Sequence, residues 1–264
     1  MGSNPGASDG IGDGIGDRAP EGPRSLLEAA RRKCRVEAFD ELLDTLRTST
    51  QAEGCGADTW SLLAETLLER IQQRTHLLGV AVGEPIFDEL PKELDQDVEQ
   101  GLTAIARARE LGEDSATLFR VEAGLMSQRI TGLGSALKWN GKIAAALKMA
   151  NERQGDDPLL HTALGLRKLL APRMFGHDPD KALEHFEYAA EAMPADERPA
   201  VFAAMASYLQ KKRQKAVAWL EKAVTRNPEN RFARAVLKRL RRGEDKPFGR
   251  DVTAAELQAA EGPK

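Results

Sequence analysis

Apolar residues recur along most of this chain at intervals of three and four positions, the spacing of a helix with one buried face. No segment shows the strict apolar–polar alternation of a half-buried strand. After residue 92 the pattern predicts a run of helices separated by short turns: about 93–111, 115–130, 135–152, 158–170, 180–192, 195–210, 212–226 and 230–241. Asp-Pro or Asn-Pro pairs mark several of the turns, as expected where helices begin. The chain is therefore predicted to be all-α.

The N-terminal third is less regular. Helical spacing begins at Ser25, where Glu28 three residues later suits a capping box, and continues to about Thr48. A second helix begins at Asp58, and the two are predicted to form a hairpin. Four predicted regions follow: a Gly/Asp-rich disordered tail (1–23), the hairpin with its Gly- and Pro-rich connection (24–92), the main helical array (93–243), and a tail that can hold a short helix (244–264).

Within the main array the sequence repeats itself. K-A-L-E-H-F-E-Y-A-A-E-A-M-P is followed by K-A-V-A-W-L-E-K-A-V-T-R-N-P, and equivalent residues are 34 positions apart: Ala182/Ala216, Phe186/Leu220, Ala189/Ala223 and Pro194/Pro228. The small residues allow close helix approach, the larger apolar residue fills the gap, and proline ends the helix. Earlier units align less regularly, with anchors at Gly101 and Ile143 where the later units have alanine.

A 34-residue period with these landmarks resembles the tetratricopeptide repeat (TPR), a helical hairpin of that length. The resemblance covers residues 101–240 and implies a right-handed α-solenoid of TPR-like hairpins. Stacked hairpins of this kind create a concave binding surface, so the resemblance implies a non-catalytic scaffold for a protein or peptide partner.

A nine-residue turn interrupts one predicted hairpin and reads A-P-R-M-F-G-H-D-P. It resembles the Pro-x-x-Phe-Gly-Gly-Asp insert of a subset of bacterial TPR-like proteins, which includes accessory components of TRAP solute transporters; here His177 replaces the second glycine. This resemblance implies an alternative function, an accessory component of solute transport that binds a small ligand or its receptor.

The repeat frame also places residues in the predicted groove. The clamp of lysines, asparagines and arginine by which some TPR proteins grip a terminal carboxylate is mostly absent, because only Arg167 and Arg198 occupy suitable positions. A mixed apolar and cationic groove is predicted instead, with the long turn at its rim. The predicted partner-binding residues are Arg167, Leu170, Arg198, Phe202, Met205, Phe175 and His177.

The charge is unevenly distributed. The net charge is −3, yet residues 211–250 hold 14 Lys/Arg against 4 Asp/Glu. This basic end supports a third function, binding of an anionic surface, although a solvated capping helix has the same appearance. The lack of interleaved aromatics disfavours nucleic acid. The residues predicted to form the anionic-surface site are Arg231, Arg234, Lys238, Arg241 and Arg242.

Candidate chemistry is sparse. No pair among the four histidines has metal-ligand spacing, and no nucleophile motif or glycine fingerprint is present, so neither an enzyme, a metal nor a cofactor is predicted. Cys34 and Cys55 are too few for a disulfide framework and are expected to be two thiols, or else one bridge. The absence of a long apolar run or a secretory signal predicts a cytoplasmic protein, with the periplasm as the alternative if a signal has been removed.

Overall fold

A computed structural model describes residues 22–77 and 92–248. Most of the predicted N-terminal tail, the connection at 79–91 and most of the C-terminal tail lie outside these ranges. The described residues form eleven α-helices and no strand, which confirms the all-α prediction: α1 Pro23–Lys33, α2 Asp40–Thr50, α3 Ala57–Leu77, α4 Lys92–Glu110, α5 Ala116–Ser127, α6 Leu133–Arg153, α7 Pro158–Leu170, α8 Pro179–Ala192, α9 Arg198–Leu209, α10 Arg213–Arg226 and α11 Arg231–Arg242.

Successive helices pack as antiparallel neighbours and build an α-solenoid. The pairs α3–α4, α5–α6, α7–α8 and α9–α10 form four hairpins, and α11 packs against α10. The first helices of the hairpins also contact one another, α3 with α5, α5 with α7 and α7 with α9. These four first helices therefore form the inner layer, and the second helices form the outer layer.

The helix boundaries follow from capping residues in the sequence. The side chains of Ser115, Asp157, Asp178 and Asn230 each accept a hydrogen bond from a backbone N–H in the first turn of α5, α7, α8 and α11. These bonds satisfy donors that a helix start leaves without a partner. The predicted role of the Asp-Pro pairs as helix starts is confirmed, since Pro158 and Pro179 are the first residues of their helices.

The repeat landmarks lie in the core, as their small and large apolar side chains require. Ala182, Ala216, Ala189, Ala223, Phe186 and Leu220 have no exposed surface. At Gly101 an added Cβ would lie 2.8 Å from a Leu125 methyl carbon, which explains why glycine replaces the alanine of later repeats. The helices therefore approach closely both in the regular repeats at Ala182 and Ala216 and in the less regular repeat at Gly101.

Gly165 offers a direct test of this packing. An added Cβ there would lie 2.5 Å from the ring of Phe186, which is fully buried and cannot move aside. We expect Gly165→Ala to lower the free energy of unfolding by about 1–3 kcal/mol through overpacking. Gly141, also inside a helix, has open space at the Cβ position, so Gly141→Ala should raise it by up to about 1 kcal/mol. Urea unfolding of both variants checks the pair, and equal effects would contradict the packing explanation.

The N-terminal prediction is partly wrong. The helix expected from Ser25 to Thr48 is interrupted after α1, where Cys34 adopts a left-handed conformation (φ 48°) and a short 3-10 helix spans Val36–Phe39. The predicted capping box at Ser25 is also absent, because α1 begins at Pro23 and Gly22 provides no side-chain cap. The break allows α1 to leave the line of α2 and turn toward the inner layer.

Candidate functional site

The inner layer encloses a small cavity of about 60 Å³ where the four first helices converge. Its apolar wall includes Leu68, Ala163, Leu166 and Phe202, and its polar groups include Glu69, Gln73, Arg120, Thr162 and Arg198. Gly124 also lines it, and an added Cβ there would lie 2.5 Å from a Leu68 methyl carbon, so glycine brings α3 and α5 close together. We call the space between α3, α5, α7 and α9 the concave channel.

A buried ion network occupies one end of the concave channel. Glu65 of α3 accepts hydrogen bonds from Arg120 of α5 (2.9 Å) and from Arg31 of α1 (3.0 Å). One turn further along α3, Glu69 accepts from Arg31 (2.8 Å) and from Arg198 of α9 (2.7 Å). The two carboxylates of α3 therefore tie together α1, α5 and α9.

The pKa values of both carboxyl groups reflect this arrangement. Burial alone would raise them, but the arginines more than offset that effect: Arg120, Arg31 and Arg24 at Glu65, and Arg198, Arg31 and Arg120 at Glu69. The pKa of each group falls from 4.5 to about 2. Both side chains are thus ionised at neutral pH, and neither is poised to give or take a proton there.

Arg198, predicted to bind a partner, has its guanidinium engaged within the chain. Besides Glu69 it donates to both oxygens of Asp196 at 2.6–3.1 Å. Burial opposes its charge, yet Asp196 and Glu69 raise the pKa of Arg198 well above its ordinary value. The structure therefore places Arg198 in the ion network at one end of the concave channel.

The other predicted groove residues are dispersed. Phe202 lines the cavity and contacts the Phe186 ring, whereas Met205 is only 1% exposed and belongs to the core. On α7, Arg167 is half-buried and its Nε makes no hydrogen bond, while Leu170 is 42% exposed. Leu170 is therefore exposed, Phe202 is buried but borders the cavity, and Met205 lies in the core away from it.

The long turn between α7 and α8 has an ordered backbone. A short 3-10 helix spans Arg173–Phe175, Gly176 follows with φ +92°, and Asp178 N–H donates to Lys168 C=O at 2.9 Å. Phe175 and His177 are half-buried, and Met174 is 68% exposed. The turn lies within the α7–α8 hairpin, at one end of these two helices.

The basic helix α11 is partly neutralised. Arg241 pairs with Glu221 at 2.8 Å, and Arg239 is buried 3.8 Å from Glu244. Arg234, Lys238 and Arg242 are exposed, and Arg231 is half-buried and engaged in an interaction of its own. The exposed residues leave a cationic outer face on the last helix.

A second contact joins the two ends of the described chain. The thiol of Cys34 donates to Glu197 Oε1 (3.3 Å), and Asn227 Nδ2 donates to the same carboxylate (3.0 Å) and to Arg32 C=O (3.1 Å). Burial, with Glu197 adding, raises the pKa of the Cys34 thiol, so it stays protonated. Cys34 and Cys55 are both free thiols, and the alternative of a bridge between them is wrong.

Two histidines meet on the surface of the α7–α8 hairpin. His161 Nδ1 and His185 Nδ1 are 3.1 Å apart, and the His161 ring stacks on Tyr188 at 4.0 Å. Burial, His161 and Lys168 lower the pKa of His185, which favours the neutral ring. The described residues contain no group of three or more His, Cys, Asp or Glu side chains that could hold a metal ion.

Comparison with known proteins bears on the fold. A thermophilic TPR protein of Thermus thermophilus, TTC0263, superposes with a TM-score of 0.56 at 15% identity, covering 83% of this chain and 98% of that one. The fold is TPR-like.

Two further structures align with TM-scores below 0.5 and add nothing to that conclusion. They are the HusA haemophore from Porphyromonas gingivalis (0.48, 15% identity, 78% of this chain and 94% of that one) and YrrB, described as a TPR protein with an unusual peptide-binding site (0.42, 16%, 83% and 100%). No protein-family model and no curated protein matches the sequence. In the described part of the chain, no helix is both long and apolar enough to cross a membrane.

Proposed function

We propose that this TPR-like chain is a non-catalytic scaffold that binds a segment of a protein partner at the concave channel. The observation that carries the proposal is the cavity where four first helices converge, which both apolar and polar side chains line. At about 60 Å³ it has room for one side chain rather than a whole peptide. The partner would insert an apolar anchor between Leu166 and Phe202, since buried anchors supply most of the binding energy of an interface.

The chemistry of the channel supports binding more than catalysis. Its carboxylates, Glu65 and Glu69, are held ionised by arginines, so they offer neither a proton nor a basic site near neutral pH. Helix α1 illustrates how the inner surface accommodates a helix: Leu27 is fully buried in the core that includes α3, while Arg31 pairs with both carboxylates. Helix α1 thus already packs within the chain as a partner helix would, with an apolar side chain buried and a polar side chain paired beside it.

From the anchor, the partner would continue along α7. Leu170 follows Leu166 by four residues and therefore lies on the same helix face, and it is 42% exposed. Arg167, three residues before Leu170, is half-buried beside this path. Phe175 and His177 would bound this path at the end of the hairpin. The solute-transport alternative stays a prediction, and the exposed cations of α11 keep the anionic-surface alternative open to test.

Filling the cavity with a larger side chain tests the proposal. Partners captured with the native chain are identified, and their affinities are measured for Thr162→Trp, whose indole would occupy the cavity. We expect binding to weaken at least about tenfold, because the anchor can no longer enter. Thr103→Trp is the matched control: Thr103 lies exposed on the outer helix α4 and, like Thr162, bonds only the carbonyl four residues earlier (Thr162 to Pro158 3.0 Å, Thr103 to Glu99 2.9 Å).

Circular dichroism and melting temperature establish that both variants are folded. Loss of affinity in Thr162→Trp alone supports the proposal. Undiminished binding by a folded Thr162→Trp variant would show that partners dock elsewhere.

A further inference from the structure

A second, larger cavity lies where the N-terminal segment meets the last repeat. It is open to solvent and has a volume of about 660 Å³, within the size range of sites for small molecules. Arg32, Lys33 and Arg35 line it from the end of α1 and the following link, and Arg226 lines it from the end of α10. Two distant parts of the chain thus direct four cationic side chains toward one space, which we call the junction cavity.

Little in the described chain neutralises these cations. Arg32, Lys33 and Arg35 are exposed and form no ion pair with the residues that the structure describes. Glu229 is the one acidic residue among the described lining residues. The cavity therefore carries a net charge of +3, four cations and one carboxylate, and like charges face each other across the junction.

The guanidinium of Arg226 is held in place without losing its charge. It donates to two backbone carbonyls, Ala190 at 3.0 Å and Asp196 at 3.2 Å. Neither acceptor is ionised, and an arginine has five N–H donors, so donors remain for a ligand. The wall beside it is also fixed, because Asn227 is anchored to Glu197 and to the backbone of Arg32.

The lining indicates the ligand. Among the described lining residues only Ala195 is apolar and none is aromatic, so a nucleobase would find no aromatic ring on which to stack. Three arginines and a lysine suit phosphate oxygens, which arginine binds through paired hydrogen bonds. A ligand with several linked phosphates would neutralise all four cations at once.

We propose that the junction cavity binds a soluble multivalent phosphate compound, which bridges the N-terminal segment and the last repeat. The site is separate from the concave channel, so it does not depend on the function proposed above. Because the ligand contacts both ends of the array, binding would strengthen the contact between them.

Thermal unfolding with sodium tripolyphosphate tests this site. At about 100 times the dissociation constant we expect the melting temperature to rise by about 3 °C or more, compared with sodium chloride at equal ionic strength. Isothermal titration should give about one ligand per chain. The triple variant Arg32→Gln, Lys33→Gln, Arg35→Gln should bind at least about tenfold more weakly, since three of the four cations are removed.

The matched control is Arg234→Gln, Lys238→Gln, Arg242→Gln, which removes the same charge from exposed positions on α11 outside the cavity. It should keep the native affinity. Equal loss in both triple variants would mean general attraction to a basic surface, and no loss in the first would also overturn the proposal. Co-sedimentation with phosphatidylcholine vesicles containing phosphatidylinositol 4,5-bisphosphate distinguishes the source: no retention is expected, and retention abolished by the first triple variant would contradict a soluble ligand.

Discussion

Replacing Glu65 with alanine is expected to lower the free energy of unfolding by about 3–5 kcal/mol, the range for a buried ion pair that loses one partner. Glu65 is 1% exposed and faces three arginines. In the variant Arg31 still forms its ion pair with Glu69, but the remaining ion-pair partner of Arg120 is Asp157, at 3.7 Å. Its guanidinium would remain buried with little compensation, and this accounts for the size of the loss.

Urea unfolding followed by circular dichroism measures the change. Glu99→Ala is the control, because Glu99 pairs with Arg129 at the surface and is 61% exposed. Exposed pairs contribute little, so this variant should lose no more than about 1 kcal/mol. Similar losses in both variants would show that the inner ion network is not a source of stability.

Acid should unfold the protein through the same network. Glu65 and Glu69 have pKa values lowered from 4.5 to about 2 in the folded chain. Below pH 4.5 the unfolded chain binds protons that the folded chain excludes, so the stability from both groups, complete above pH 4.5, is lost as the pH falls toward 2. One pKa unit corresponds to about 1.4 kcal/mol, which gives on the order of 3 kcal/mol for each carboxylate.

Urea unfolding between pH 7 and pH 2 checks this expectation. Glu69→Gln removes one titrating group, so the variant should be less stable at pH 7 and lose less further stability below pH 4.5 than the native chain. Glu99→Gln, at an exposed pair, should follow the native profile. A native profile without loss between pH 4.5 and pH 2 would contradict the assignment.

The regular repeats were predictable because their information is local. The spacing of Ala182, Phe186 and Ala189 specifies which helix face is buried, and Asp157-Pro158 specifies where a helix begins. The N-terminal break was not predictable in this way. Apolar spacing continues through Cys34, but the left-handed turn there is held by Glu197, more than 160 residues later in the chain. Apolar spacing predicts which face of a helix is buried, but it does not predict a contact with a residue so far along the chain.

The candidate site shows the same division. The frame placed Phe202 on an inner helix, and it lines the cavity. The repeat spacing could not show that Arg198 of α9 pairs with Glu69 of α3. Repeat spacing predicts contacts between neighbouring hairpins, and these two residues belong to the first and fourth hairpins. Glu65 and Glu69 do carry a signal in the sequence: they are the two charged residues in a leucine-rich stretch of α3 in which every residue from Ser61 to Glu69 is buried.

The bonds between Cys34, Glu197 and Asn227 have a consequence for folding. In an open solenoid each repeat touches only its neighbours, so terminal units can unravel while the rest persists. Here residues more than 190 positions apart must meet before the array is complete. Such long-range closure slows the final folding step and makes the loss of either end weaken the other. The protein should therefore gain and lose its structure as a single cooperative unit.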